Sequence, residues 1–215
     1  MNARATIMLV DDHAIVRQGY RTLLEKQATL RVVAEAGDGA DAYRLYQEMR
    51  PDLVIMDLTL PRMGGLEGIR RILQWDSHAR ILVFTMHHNA AYAVQAMRAG
   101  AKGYMTKTGA PQDLVQAVFD VLQGKIALSA DIDHELALSR IAEAGSVIDE
   151  LTPREFDILR MLLTGKTVED IAGILHLSRK TVANTHYQIK NKLGVSSDIA
   201  LVLIALRHGV LEVNA

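Results

Sequence analysis

Through its first 124 residues the chain repeats one alternation, a short apolar run followed by a longer amphipathic stretch. The runs are TIMLV (Thr6–Val10), LRVVAEA (Leu30–Ala36), DLVIM (Asp52–Met56), RILVFT (Arg80–Thr85) and KGYMTK (Lys102–Lys107). Such runs suit strands buried on both faces. Helical patterns fill the gaps near residues 14–26, 39–49, 66–75, 88–99 and 112–123. In the last of them Leu114, Val115, Val118 and Leu122 share one face, and Gly100 stands where the fourth helix should end. Five units of this kind predict an α/β fold, a doubly wound, five-stranded parallel sheet with right-handed crossovers and helices on both faces. Ligands of such sheets bind at the carboxyl ends of the strands.

From about residue 151 the β-branched runs stop. Thr152-Pro153-Arg154-Glu155 is a helix start, with Thr as N-cap, Pro in the first turn and Glu three residues on. Gly165 closes that helix. Thr167 caps a short second helix, Ser178 a third that Gly194 stops, and Ser197 a fourth rich in Ala, Leu, Val and Ile. The expected organisation is an α/β domain over 1–124, a linker with a short helix near 131–142 within 125–150, and a small all-α domain over 151–215.

The 215 residues include no cysteine, which excludes a disulfide framework, a thiol nucleophile and thiolate metal sites. A net charge of −1 gives no global attraction to a polyanion, so any nucleic-acid site must come from local segregation of charge. The N-terminal apolar run is too short for a signal peptide and no segment is long enough to span a bilayer. A cytoplasmic protein without membrane attachment is expected.

The chemistry concentrates at strand ends. The first strand ends at Asp11-Asp12, the third at Asp57, the fourth at Thr85 and the fifth at Lys107. A doubly wound sheet gathers these ends into one crevice. Three carboxylates there would repel one another, and a divalent cation that favours oxygen ligands, such as Mg²⁺, removes the conflict while adding a phosphate oxygen to its shell. Lys107 offers a positive charge to a phosphoryl group and the Thr85 hydroxyl a donor. Asp57 is then the candidate nucleophile, forming an acyl phosphate. Taken singly, Asp11-Asp12 could be a helix cap, Asp57 a turn cap and Lys107 a surface residue; their conjunction carries the inference. His87 and His88, adjacent in sequence, are read as a solvated pair.

In the helical half no acidic residue lies between Asp170 and Asp198, whereas Arg179, Lys180, Lys190 and Lys192 do. That stripe fits a phosphate backbone, and two helices joined by a tight turn fit a helix-turn-helix with residues 178–193 in the major groove of double-stranded DNA. Lys180, Asn184, Tyr187 and Asn191 lie away from Val182, Ile189 and Leu193, and Thr181 joins them as a candidate contact. A helical bundle with a basic solvated face is the plain alternative.

These residues carry a resemblance. LVDDH, VIMDLTLPRMGGLEGI, ILVFT and AKGYMTK, spread over residues 6–124, resemble the receiver domain of bacterial two-component response regulators. LTPREFDIL, GKTVEDIAGILHLSRKTVANT and KNKLGV, over 151–212, resemble the DNA-binding domain of the NarL/FixJ (LuxR-like) regulators. The resemblance implies a flavodoxin-like fold and phosphotransfer from a sensor histidine kinase to Asp57. It implies Mg²⁺ held by Asp12 and Asp57, by Asp11 partly through water, and by the main-chain carbonyl of Thr59. Thr85 and Tyr104 match a switch pair in which the hydroxyl moves toward the phosphoryl group and the ring turns inward. Ala183, Asn184 and Tyr187 match base-facing positions, and the last helix (Asp198–His208) a dimerisation surface with Leu201, Val202 and Ala205 as candidates, although these could equally be core. Thr108 stands where many receivers have Pro, Met86 and His87 where small residues often follow the switch Thr, and His186 where an inward apolar residue is usual.

The expected function is a DNA-binding regulator, not an enzyme, that dimerises when phosphorylated, with the unmodified receiver covering or misorienting the recognition helix. Two alternatives differ in class. An aspartyl-phosphate phosphatase would need a second acid two residues after the nucleophile, where this chain has Thr59. A phosphorylation-independent dimerisation module would have no use for Asp11, Asp12, Asp57, Thr85 and Lys107 together.

Overall fold

The computed structural model describes residues 4–141 and 146–211. Its parallel sheet has the order β2-β1-β3-β4-β5-β6. The strands are β1 (Ala5–Val10), β2 (Leu30–Ala36), β3 (Leu53–Met56), β4 (Ile81–Thr85), β5 (Gly103–Thr106) and β6 (Ala127–Leu128). The first five match the apolar runs to within one or two residues. The sixth corrects the expected count: it is two residues at the sheet edge, too short to show a period. Helices α1 (Ala14–Glu25), α2 (Gly39–Met49), α3 (Gly65–Trp75), α4 (Ala90–Arg98) and α5 (Pro111–Leu122) connect the strands. Gly100, Gly124 and Gly165 take left-handed φ values (104°, 82° and 78°) just past helix ends, the conformation a helix terminus asks of glycine.

Side chains divide by sheet face. Ile7, Leu9, Leu53, Ile55, Leu82 and Phe84 pack with Leu114, Val118 and Val121 of α5. Met8, Val10, Val54, Met56, Ile81 and Val83 pack with Ala42, Ile69, Ile72 and Ala96 of α2, α3 and α4. Both faces are therefore covered, and the strand ends are the place left for chemistry.

After β6 come α6 (Ala130–Ile141), a 3-10 turn (Val147–Glu150), α7 (Pro153–Leu163), α8 (Val168–Leu175), α9 (Arg179–Lys192) and α10 (Asp198–Arg207). The helix starts are built as expected. Thr152 Oγ1 accepts from the Glu155 amide while Glu155 Oε2 accepts from the Thr152 amide, and Thr167 and Asp170 form the same reciprocal cap. Ser178 Oγ accepts from the Thr181 amide and Ser197 Oγ from that of Ala200. No helix among the described residues is long and apolar enough to cross a membrane.

The two halves share one apolar core, in which Tyr92 of α4 meets Phe156 of α7, with Ile148, Leu151 and Val210 alongside. Polar contacts flank it. Arg154 reaches Glu67 at 2.8 Å, Gln95 donates to the Leu151 carbonyl at 2.9 Å, and Asn89 donates to that of His208 at 3.0 Å.

Candidate phosphoacceptor site and nucleic-acid interface

Backbone pairing sets the site. The Asp57 amide donates to the Val10 carbonyl (2.9 Å), the Asp11 amide to that of Ala36 (3.1 Å) and the Lys107 amide to that of Thr85 (2.8 Å), so each strand hands its next residue to the same edge. Asp57 and Asp11 are only 4% and 5% exposed. Lys107 Nζ lies 2.5 Å from a carboxylate oxygen of each. Desolvation pulls the Lys107 pKa down, but the charge of Asp57 and the hydrogen bonds from both acids outweigh it and leave it raised. Lys107 is a cation shared between two buried anions.

Asp12 takes the solvent side of this pair, where His13 Nδ1 lies 2.7 Å from its carboxylate, and the His13 amide donates to Asp11 Oδ1 at 2.8 Å. Asp11, Asp12 and His13 present ligand atoms within 4.8 Å of one another, a set able to hold a metal ion. Three carboxylates against one lysine suit a further cation. The Thr85 hydroxyl is buried without a hydrogen-bond partner among the described residues, an unspent donor at the strand end. Tyr104 is fully buried with its hydroxyl donating to the His87 carbonyl at 2.8 Å, and burial pushes its pKa up. Thr59 returns its amide to Asp57 Oδ1 at 3.1 Å. The loop folds back this tightly because a Cβ on Gly65 would stand 2.1 Å from the Asp57 carbonyl oxygen.

Two side chains escaped the sequence. Arg17 donates to the Asp11 carbonyl and pairs with Glu35 at 3.3 Å, bracing the acid loop. Its place one turn into the helix after Asp12 was the available signal. His87 is no solvated pair with His88: its ring stacks on Tyr92 (3.9 Å between centroids, 5° between planes) and its Nε2 lies 2.9 Å from Thr59 Oγ1.

On α9 the outer face is open. Lys180, Thr181, Ala183, Asn184 and Asn191 are exposed, and Tyr187 is 64% exposed. Val182 and Ile189 are buried, as expected. The charges are more committed than the sequence suggested: Arg179 pairs with Glu169 (3.2 Å), Lys190 with Asp198 (3.1 Å) and Lys192 with Glu155 (2.7 Å). Lys180 forms no ion pair among the described residues, and Thr181 spends its amide on the Ser178 cap. His186 turns to Asp198, 2.9 Å away. The receiver leaves this face uncovered, which contradicts the covering form of the expectation and not the misorienting one. On α10, Leu201 and Ala205 are core, whereas Ile199 and Leu203 are 76% and 59% exposed with Val202 beside them.

A doubly wound sheet with an acid, hydroxyl and amine at its strand ends, followed by a helix-turn-helix, defines a class of signal-responsive regulators. Residues 7–119 match the response regulator receiver domain and residues 149–205 the bacterial regulatory proteins of the luxR family, so the chain belongs to the response regulators with a LuxR-type C-terminal domain. It is 37% identical over 206 residues to response regulator UvrY of Escherichia coli, covering 95% of this chain and 94% of that protein. To response regulator GacA of Pseudomonas aeruginosa it is 36% identical over 208 residues, covering 96% and 97%. Among solved structures it resembles RcsB of Salmonella enterica serovar Typhimurium bound to a promoter in the presence of the phosphomimetic BeF₃⁻ (TM-score 0.76, 28% identity, 95% and 99% covered). A LuxR-family two-component response regulator from Aurantimonas is 55% identical, covering 65% of this chain and 99% of that one, with a TM-score of 0.63.

Proposed function

We propose that this chain is a transcriptional response regulator in which a sensor histidine kinase phosphorylates Asp57 and the helical half then acts on double-stranded DNA as a homodimer. The observation that carries the reading is Lys107 bridging Asp11 and Asp57 at 2.5 Å, with a Thr85 hydroxyl at the end of β4 that has no partner among the described residues. An Asp57 carboxylate oxygen attacks phosphorus, the bond from phosphorus to the donor histidine nitrogen breaks, and that nitrogen keeps the electron pair. Lys107 and the Thr85 hydroxyl meet the charge on the phosphoryl oxygens. Asp11, Asp12, Asp57 and the Thr59 main-chain carbonyl would hold Mg²⁺, which supplies positive charge to offset the carboxylates and phosphoryl oxygens as they approach. The new group adds nearly two negative charges beside Lys107 and biases a two-state receiver. Lys180, Asn184 and Tyr187 form the exposed DNA-facing set, with Arg179, Thr181, Lys190 and Lys192 at its margins. The apolar strip Ile199, Val202 and Leu203 on α10 suits a two-fold partner.

Incubation with acetyl phosphate and Mg²⁺ should add one phosphoryl group by intact mass, and Asp57→Asn should abolish it. Steady release of inorganic phosphate from added phosphoesters would instead identify a phosphatase.

A further inference from the structure

His87 sits where the two halves and the acceptor loop meet. Its ring is bonded to the Thr59 hydroxyl at 2.9 Å, and its carbonyl accepts from the Tyr104 hydroxyl at 2.8 Å. A face of the same ring is stacked on Tyr92, which belongs to the interface: the Tyr92 ring meets Phe156 edge-on at 5.0 Å and its hydroxyl donates to the Val210 carbonyl at 3.0 Å. Both helical-half contacts are made to a buried tyrosine, and both come from segments far along the chain. At the other end Thr59 gives its amide to Asp57. A continuous column of contacts thus runs from Phe156 and Val210 through Tyr92 and His87 to Thr59 and the acceptor carboxylate.

We propose that His87 is a positioning residue through which docking of the helical half and modification of Asp57 oppose each other. This rests on Asp57 being the phosphoacceptor. The Thr85 hydroxyl lacks a partner among the described residues, and a phosphoryl oxygen on Asp57 supplies one. Taking up that bond shifts the segment that continues β4, with His87 two residues along. The docked helical half holds His87 in place through Tyr92, so a shift of that segment breaks the stack or loosens the Tyr92 seat. By linkage, whatever docking costs the modified state, modification costs docking by the same factor.

The absence of cysteine makes the full-length chain easy to label at two introduced sites. With spin labels on Lys26→Cys and Gln188→Cys, both exposed, pulsed electron-spin distances report docking, and fluorine NMR reports bound beryllofluoride, an acyl-phosphate analogue added with Mg²⁺. Beryllofluoride should deplete the docked distance in the parent chain. His87→Ala should deplete it without beryllofluoride and tighten beryllofluoride binding about five-fold, the lower range of ordinary coupling between sites. In a Phe156→Leu background, His87→Ala should add no further tightening. Tyr92→Phe, which removes the bond to the Val210 carbonyl, serves the same comparison if Phe156→Leu fails to fold. The proposal is overturned if the docked distance ignores bound beryllofluoride, or if the His87 and Phe156 effects multiply independently. A parent chain that binds no beryllofluoride would instead refute Asp57 as acceptor, and the proposal with it. A merely structural His87 would lower the melting temperature and leave the beryllofluoride affinity unmoved.

Discussion

The receiver half and the helical half hold their functional groups by opposite means. At the strand ends, buried Asp11 and Asp57 and the largely enclosed Lys107 are mutually paired and fixed by backbone pairing between strands. On α9, Lys180, Asn184 and Tyr187 project into solvent from a helix anchored by Val182, Ile189 and a serine cap. The first arrangement is organised before any partner arrives and costs stability if one member is lost. The second is free to meet a long anionic surface, and losing a side chain there should cost binding but little folding energy.

Lys107→Ala is the harshest test of that contrast. It leaves two nearly inaccessible carboxylates without their shared cation, a kind of loss worth about 3–5 kcal/mol. Chemical denaturation should show that loss without divalent cation, and Mg²⁺ should recover more of it in the variant than in the parent. Equal recovery in both would mean the cation does not sit beside those carboxylates.

On α9, Asn184→Ala should cost about 1–3 kcal/mol of DNA binding if Asn184 meets a base edge, with the melting temperature unchanged. Lys180→Ala should weaken binding to all sequences alike and reduce the magnitude of the salt slope by about one. A shift in unfolding comparable to that of Lys107→Ala would erase the distinction between the halves.

How legible this was follows from where the information lies. Asp57, Thr85 and Lys107 could be read because a buried parallel strand is an uninterrupted apolar run and its end is a definite position. Helix caps such as Thr152 and Ser178 are local and equally plain. His87 departs from the expected solvated pair because its partners Thr59 and Tyr92 meet it only when the loop after β3 and the start of α4 pack together at the end of β4. Leu201 and Ala205 were ambiguous for the same reason: an apolar helix face says that something covers it, not whether that is core or another chain. Packing assigned both to the core and left Ile199 and Leu203 outside. The commitments of Lys190 and Lys192 to Asp198 and Glu155 likewise depend on how the helices sit together.

The domain boundary sharpens the comparison with two acids of opposite sign. Glu67 is 2% exposed at its side chain and pairs with Arg70, Arg71 and, across the boundary, Arg154. Burial raises its pKa, yet the bonds to Arg70 and Arg71 and the charge of Arg154 leave it lowered. A lowered folded value means stability fully present above the ordinary glutamate range and lost as pH falls through the folded pKa. Glu67→Gln should therefore cost about 2 kcal/mol at neutral pH, by analogy with other charged hydrogen bonds, and nothing once the parent's Glu67 is protonated. Asp157, buried beside Arg160, has its pKa raised, chiefly by desolvation, against the pull of Arg160. Its ionisation works against folding as pH climbs from the ordinary aspartate range through the raised folded value. Asp157→Asn should stabilise the chain at neutral pH and converge with the parent in acid. Variant stability curves that both ran parallel to the parent's from acid to neutral pH would contradict both assignments.

The smallest expected effect concerns the start of α9. Ser178 Oγ accepts from the Thr181 amide at 3.0 Å, closing one of the free N–H groups of the first turn. Ser178→Ala should cost about 1 kcal/mol of stability, and Ser178→Asp should retain the cap. Their DNA affinities should differ in the opposite sense to stability, because an added carboxylate at the helix start repels the phosphate backbone that the alanine variant still tolerates. If instead affinity simply tracked stability across the two variants, the open face of α9 would be limited by its folding and not by its charge.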